Sequence, residues 1–146
     1  MEINKVAVLG AGTMGMGIAW AVAAAGKKVV LYDIKMEIVE KTIARIGKGL
    51  AKAEEKGQAP AGAKDFVTGN ITGTADMKDL ADADFVIESV VENIDIKKQV
   101  YADLGKILRP EVIVATNTSS LPITEIAACY PDPTKVVGMH FFNPAM

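Results

Sequence analysis

Apolar residues along the 146-residue chain fall into short runs separated by segments with helical spacing. The runs predict strands at about 3–9, 28–33, 70–74, 84–90, 112–117 and 136–141. Apolar residues three and four positions apart predict helices at about 13–25, 35–57, 76–81, 93–108 and 122–129. Strands and helices therefore alternate. This alternation predicts one doubly wound α/β domain over residues 1–146, with a mostly parallel sheet and right-handed crossovers.

The segment at about 35–57 is longer and more charged than a simple connecting helix. Gly57 to Gly62 then interrupts it. We predict a helical arm that projects from the sheet. Its charges fit a solvated helix face, and the alternative is a basic landing site for an acidic ligand.

Composition and charge exclude several classes of protein. Half of the residues are hydrophobic, and 16 basic against 18 acidic residues leave a net charge of -2. No basic stripe predicts nucleic-acid binding, and no apolar run approaches the roughly 20 residues of a membrane helix. Cys129 is the only cysteine, so we expect neither a disulfide nor a metal site. The early first strand leaves no room for a signal peptide, and we expect a cytoplasmic protein.

The first predicted strand ends in the motif Gly10-Ala-Gly12-Thr-Met-Gly15, which opens a helix. Gly10 allows a tight turn, Gly12 allows close approach of a pyrophosphate, and Gly15 allows the helix to pack on the strand. The helix begins at Thr13 and Met14, where its N–H groups and partial positive charge attract phosphates. The motif therefore predicts a Rossmann-type dinucleotide-binding unit. A glycine-rich turn without a ligand is the alternative.

Asp33 ends the second predicted strand. A carboxylate at this place accepts hydrogen bonds from an adenosine ribose and repels a 2′-phosphate. The sequence therefore favours NAD over NADP as the cofactor, although Lys35 nearby leaves NADP open.

Polar residues follow the ends of the later strands, where ligands bind in open α/β sheets. The segments that contain these polar residues are Val91-Glu92-Asn93, Asn117-Thr-Ser119-Ser and His140-Phe-Phe-Asn143. His140 is the only histidine, and an imidazole can accept the hydroxyl proton that a hydride transfer from a secondary alcohol releases. Ser119 and Asn143 can hold or polarise the substrate oxygen. A structural histidine, and a turn or helix cap at 117–120, are the alternatives.

Together these motifs resemble the N-terminal domain of the 3-hydroxyacyl-CoA dehydrogenase family, in particular its bacterial 3-hydroxybutyryl-CoA enzymes. The resemblance covers essentially the whole chain and rests on Gly10–Gly15, Val91–Asn93 with Lys97, Asn117–Leu121 and His140–Pro144. It implies NAD-dependent interconversion of an (S)-3-hydroxyacyl-CoA, such as 3-hydroxybutyryl-CoA, and the 3-oxoacyl-CoA.

The resemblance also assigns roles to single residues. His140 would be the general acid/base, while Ser119 and Asn143 would orient the substrate oxygen and the histidine. Asp33 would bind the adenosine ribose. The nicotinamide half of the cofactor would lie along Glu92, Lys97 and Asn117, and Lys56 on the arm would contact a CoA phosphate.

Members of the family continue past the last motif into a glutamate that pairs with the histidine. An all-helical domain then closes the substrate cleft and forms a homodimer. Neither is present in residues 1–146. We therefore expect these residues alone to bind the cofactor and to show little turnover.

Two other functions are compatible with the sequence. One is a stand-alone NAD(H)-binding sensor or regulatory module without catalysis. The other is a dehydrogenase of a small hydroxy acid or sugar acid, which the motifs at Asn117 and His140 disfavour. A His140→Ala variant separates enzyme from sensor, because only an enzyme would lose turnover.

Overall fold

All six strands of the computed structural model, which describes residues 1–146, belong to one parallel sheet. The strands are β1 (Lys5–Leu9), β2 (Lys28–Tyr32), β3 (Ile71–Thr74), β4 (Phe85–Glu88), β5 (Ile113–Thr116) and β6 (Val136–Gly138). Their spatial order is β3-β2-β1-β4-β5-β6, and every neighbouring pair is parallel. The order reverses between β1 and β4, which opens a crevice at the carboxyl ends of these strands. The predicted doubly wound fold is confirmed.

Five α-helices connect the strands. They are α1 (Thr13–Ala24), α2 (Met36–Glu55), α3 (Ala63–Gly69), α4 (Ile94–Ile107) and α5 (Ile123–Ala127). The predicted helix at 76–81 is a short 3-10 turn over Met77–Leu80, and a second such turn spans Pro133–Lys135. None of the helices combines the length and the apolar character needed to cross a membrane.

The sheet has a separate apolar core on each face. Val6 and Val8 of β1 join the core under α1, α2 and α3, whereas Ala7 and Leu9 join the core under α4 and α5. Successive residues of a strand point to opposite faces, so a strand covered on both sides is apolar throughout. This is why the strands appear in the sequence as continuous apolar runs.

The charged segment after β2 forms a hairpin of helices rather than a single arm. Helix α2 buries Val39, Ile46 and Leu50 against the sheet side, and α3 adds Val67 to the same core. The opposite face of α2 is exposed along its length, and so is most of the loop that follows it. Helix α3 was absent from the sequence prediction, because it is short and lies directly after the glycine-rich break.

The last strand is shorter than its apolar run predicts. Gly138 pairs with Thr116, the final residue of β5, and the Met139 N–H donates to the Thr116 carbonyl at 2.9 Å. Beyond this point β5 provides no further backbone partner. His140 and the residues after it therefore leave the sheet.

One carboxylate joins the start of β1 to the start of β4. Asp84 Oδ2 accepts the N–H groups of Asn4 and Lys5, both at 2.9 Å, and Oδ1 accepts from Arg109 at 2.9 Å. The two backbone N–H groups, followed by the guanidinium, hold the pKa of the Asp84 carboxyl below its ordinary value.

We expect Asp84→Asn to reduce the acid sensitivity of the fold. A lowered pKa in the folded state means that the carboxylate stabilises the protein above its ordinary pKa, and that this contribution is lost as the pH falls through the folded-state value. Unfolding free energies between about pH 5 and pH 2 should therefore fall less steeply in Asp84→Asn than in the wild type. Asp82→Asn, which removes only an exposed pair with Lys5, is the control. Equal slopes for Asp84→Asn and the wild type would contradict the prediction.

Candidate functional site

The glycine loop between β1 and α1 contains two glycines that the fold itself requires. Gly10 has φ +96, and a Cβ there would lie 2.2 Å from the Ser89 carbonyl oxygen. A Cβ at Gly15 would lie 1.7 Å from the Gly10 carbonyl oxygen. At Gly12, by contrast, a Cβ would meet nothing within 4 Å. The open space at Gly12, directly before the first turn of α1, is where a phosphate can approach the backbone.

Residue Ala11 of this loop is held from two sides. Its N–H donates to Asp33 Oδ2 at 2.9 Å, and its carbonyl accepts from the buried Thr42 hydroxyl at 2.7 Å. Thr42 was not predicted, since a threonine on a helix gives no local sign that it supports a distant loop. The second carboxylate oxygen of Asp33 has no protein donor and can accept from a ligand hydroxyl.

A pocket of about 620 Å³ lies at the crevice between β1 and β4. Its lining includes eight of the nine predicted cofactor residues: Gly10, Gly12, Thr13, Met14, Asp33, Glu92, Lys97 and Asn117. The ninth, Gly15, is buried in the first turn of α1. The prediction missed other lining residues, most of which directly follow a strand end or lie on the first turns of α4: Ile34, Ser89, Val90, Val91, Ile96 and Val100.

A fully buried ion pair lies beside the pocket. Lys97 Nζ donates to Glu88 Oε2 at 2.7 Å, and the two side chains are 1% and 0% exposed. Glu88 also accepts from the Thr116 hydroxyl at 2.8 Å and from the Val90 N–H at 2.9 Å. The carboxylate thus joins β4, β5, α4 and the loop that lines the pocket. Lys97, predicted from the family pattern to lie along the cofactor, lines the pocket with its ammonium group turned to Glu88.

The Tyr101 hydroxyl is buried close to this pair. Burial, and secondly the negative charge of Glu88, raise the pKa of Tyr101 far above its ordinary value. The phenol therefore stays neutral. Its ring packs edge-to-face on Tyr130, with the ring centroids 6.4 Å apart.

In the segment after β4, Asn93 has a structural role and the neighbouring Glu92 lines the pocket. Asn93 caps α4, because its Oδ1 accepts the N–H groups of Asp95 and Ile96 at 3.0 Å each. Glu92 lines the pocket and accepts a hydrogen bond from the Thr118 hydroxyl. Thr118 Oγ1 in turn accepts the Leu121 N–H at 3.0 Å.

The predicted catalytic residues lie outside the pocket lining, beyond the ends of β5 and β6. Ser119, His140 and Asn143 are all exposed, and none is hydrogen-bonded to another. The His140 ring lies 5.0 Å from the Phe142 ring at a tilt of 58°. Lys56 is the exposed residue that directly follows α2, and it does not line the pocket.

The fold and the pocket together define a dinucleotide-binding domain of the Rossmann class. The strand order reverses at the pocket, a helix N-terminus lies beside open space at Gly12, and the free Asp33 oxygen follows β2. These are the groups that a pyrophosphate and an adenosine ribose require. The residues present therefore fit a bound dinucleotide.

Comparison with known proteins identifies the family. A family model for the 3-hydroxyacyl-CoA dehydrogenase NAD-binding domain matches residues 5–146, and the chain belongs to this family. The resemblance drawn from the motifs and the prediction of NAD as cofactor are thereby confirmed.

Relatives and solved structures agree with this assignment. The chain is 45% identical over 140 residues to a probable 3-hydroxybutyryl-CoA dehydrogenase of Deinococcus radiodurans, covering 96% of this chain and 50% of the relative. It is 42% identical over 140 residues to the 3-hydroxybutyryl-CoA dehydrogenase of Clostridioides difficile, with the same coverage. The crystal structure of (S)-3-hydroxybutyryl-CoA dehydrogenase from Ralstonia eutropha has a TM-score of 0.94 at 38% identity and covers 99% of this chain and 51% of that one. The chain thus spans about half the length of the curated relatives it matches.

We expect Gly12→Ala and Gly15→Ala to have different effects. The backbone of Gly12 has φ -74, which alanine adopts freely, so the Gly12→Ala variant should fold normally. Its new methyl group should occupy the space for the pyrophosphate. NADH affinity should fall at least about tenfold with little change in Tm. In Gly15→Ala the collision with Gly10 should lower the unfolding free energy by about 1–3 kcal/mol or more. NADH titration and thermal unfolding of both variants test this, and unchanged NADH affinity in Gly12→Ala would refute it.

We expect Lys97→Met to destabilise the fold strongly. It leaves the Glu88 carboxylate buried without its cation, which costs about 3–5 kcal/mol. Adding Glu88→Gln should recover much of this loss, because the amide carries no charge, its oxygen can still accept the Val90 N–H, and its NH2 can donate to the Thr116 hydroxyl. Denaturant unfolding of Lys97→Met and of the double variant measures how much unfolding free energy Glu88→Gln restores. A loss below about 1 kcal/mol together with weaker NADH binding would instead make the Lys97 ammonium a cofactor contact.

Proposed function

We propose that the protein is an NAD-dependent oxidoreductase that interconverts (S)-3-hydroxyacyl-CoA and 3-oxoacyl-CoA, and that residues 1–146 form its NAD-binding domain. The substrate pair is 3-hydroxybutyryl-CoA and acetoacetyl-CoA. The observation that carries the proposal is the pocket at the β1–β4 crevice, in a chain whose relatives are named for this reaction. Such a reaction belongs to fatty acid and butyrate metabolism in the cytoplasm.

The proposed chemistry divides between the cofactor and the chain. Bound NAD supplies the acceptor for the hydride that leaves C3 of the hydroxyacyl group. His140 accepts the proton of the C3 hydroxyl as that hydride leaves, and in the reverse direction it returns the proton to the oxygen. Ser119 and Asn143 orient the substrate oxygen and the imidazole. All three residues are exposed beside the strand ends and free to meet a substrate.

The chain's own groups also support NAD rather than NADP in this role. The Ala11 N–H donates to one oxygen of the Asp33 carboxylate, which favours the side-chain orientation toward the ribose position. A 2′-phosphate there would meet a fixed negative charge. The nearby Lys35 is exposed, its ammonium group forms no hydrogen bond or ion pair with the protein, and it does not line the pocket.

The CoA moiety and the assembly are part of the same proposal. Lys56 is exposed at the end of α2, with Lys52 one turn before it, and a cation there can pair with a phosphate of CoA. Homodimerisation is proposed through a helical domain such as the family has beyond this part of the chain. We propose no nucleic-acid or membrane partner.

The test follows NADH oxidation by absorbance after acetoacetyl-CoA is added to the protein, with His140→Ala as the variant. We expect His140→Ala to lower turnover at least about a hundredfold, since general acid–base catalysis contributes about 10²–10⁴. Its NADH affinity should be unchanged, because His140 is outside the pocket lining. Cys129→Ser, at a half-buried residue after α5 that does not line the pocket, is the control. The assay uses the protein with its proposed helical domain, because residues 1–146 alone are expected to bind NADH with little turnover. Equal turnover in His140→Ala and the wild type would refute the mechanism, and NADH binding by that protein without any turnover would favour the sensor.

A further inference from the structure

The Asn117 side chain connects the ends of three neighbouring strands. Asn117 directly follows β5, and its Oδ1 accepts the Phe141 N–H at 2.7 Å. Its Nδ2 donates to Ser89 Oγ, directly after β4, at 3.2 Å. Because a backbone N–H can only donate, the oxygen of the amide must be the atom that faces Phe141. Asn117 therefore bridges the cofactor pocket and the segment that carries His140.

The segment at His140 has few other constraints. The Met139 N–H is bound to the Thr116 carbonyl, but the backbone pairing between β5 and β6 ends there. The Asn117 amide oxygen takes the place of the next strand carbonyl, two residues farther along. It thus holds the peptide group that directly follows His140. The imidazole itself is exposed and forms no hydrogen bond with the protein.

The two hydrogen bonds of the Asn117 side chain also concern the prediction that Asn117 lies along the nicotinamide half of the cofactor. Oδ1 and Nδ2 each have one protein partner, and the second N–H of Nδ2 remains available to a ligand in the pocket. The Phe141 ring packs against the core on the α1 side of the sheet, which gives the segment a second anchor. A hydrogen bond from the Phe141 N–H to Asn117 and an apolar contact of the Phe141 ring therefore hold the backbone next to His140.

We propose that Asn117 is a positioning residue for His140: it sets the place of the imidazole relative to the pocket through the Phe141 N–H. The proposal rests on the proposed function in taking His140 as the proton acceptor. Asn117 does not itself touch the reacting atoms. Its loss should therefore reduce the rate of the proton-transfer step and leave NADH binding nearly intact.

The experiment compares Asn117→Leu with Asn117→Asp in the protein. Leucine has a similar volume and no acceptor, whereas aspartate keeps an oxygen for Phe141 and lets the Ser89 hydroxyl donate instead of accept. We expect hydrogen exchange at the Phe141 amide to speed up at least about tenfold in Asn117→Leu and to be near the wild-type rate in Asn117→Asp. Because His140 is the only histidine, its imidazole signals in the NMR spectrum are unambiguous, and they should shift in Asn117→Leu but not in the uncharged control Ser89→Ala.

Ser89→Ala is the matched control. It removes the partner of Nδ2 and keeps the acceptor for Phe141, so the Phe141 exchange rate should stay near that of the wild type. If Asn117→Leu does not fold, Asn117→Ala replaces it. In enzyme assays Asn117→Leu should lower kcat at least about tenfold and change KM for NADH less than about threefold.

Two outcomes would overturn the proposal. One is an unchanged Phe141 exchange rate and unchanged His140 signals in Asn117→Leu. The other is a loss of NADH affinity without any change at Phe141, which would make Asn117 a cofactor contact. The exchange measurement needs no turnover, so it decides the proposal even if the protein proves to be a sensor rather than an enzyme.

Discussion

The backbone of Gly10 touches the carbonyl of Ser89 where β1 and β4 lie side by side, and the site depends on this contact. No side chain fits between them, because a Cβ at Gly10 would lie 2.2 Å from the Ser89 oxygen. Gly15, in the first turn of α1, likewise has no room for a Cβ, because that atom would collide with the Gly10 carbonyl oxygen. The two contacts bring the N-terminus of α1 to the crevice where the strand order reverses. The pocket, its open position at Gly12 and the partial charge of the helix all follow from that placement.

Beneath the pocket, the Glu88 carboxylate performs a second connecting role. It accepts hydrogen bonds from a lysine of α4, from a threonine of β5 and from a backbone N–H of the loop that lines the pocket. A buried pair of charges contributes little net stability relative to an apolar pair of the same size, but breaking it is costly. Its effect is therefore to hold β4, β5 and α4 in one arrangement, with Val90 of the pocket-lining loop bound to the same carboxylate.

The two halves of the proposed site are built differently. The cofactor half consists of loop and strand-end residues held by hydrogen bonds, such as those of Ala11 with Asp33 and Thr42. The proposed catalytic half consists of exposed side chains beyond the ends of β5 and β6, where backbone pairing between these strands has stopped. The Asn117 amide is the hydrogen-bonded link between the two halves, since it is bound to Ser89 on one side and to Phe141 on the other.

Sequence patterns were enough to predict the fold and most of the pocket lining. Apolar periodicity reports burial along a few neighbouring residues, and it located six strands and the long helices; the spacing from Gly10 to Gly15 and the position of Asp33 indicated the ligand. It did not locate α3, whose few residues follow a glycine-rich break. Nor could it assign Lys97 to Glu88 or Asn117 to Phe141. The reason is physical: Ser89 and Asn117 are 28 residues apart, Asn117 and Phe141 are 24 apart, and only the packing of parallel strands brings such partners within a hydrogen bond.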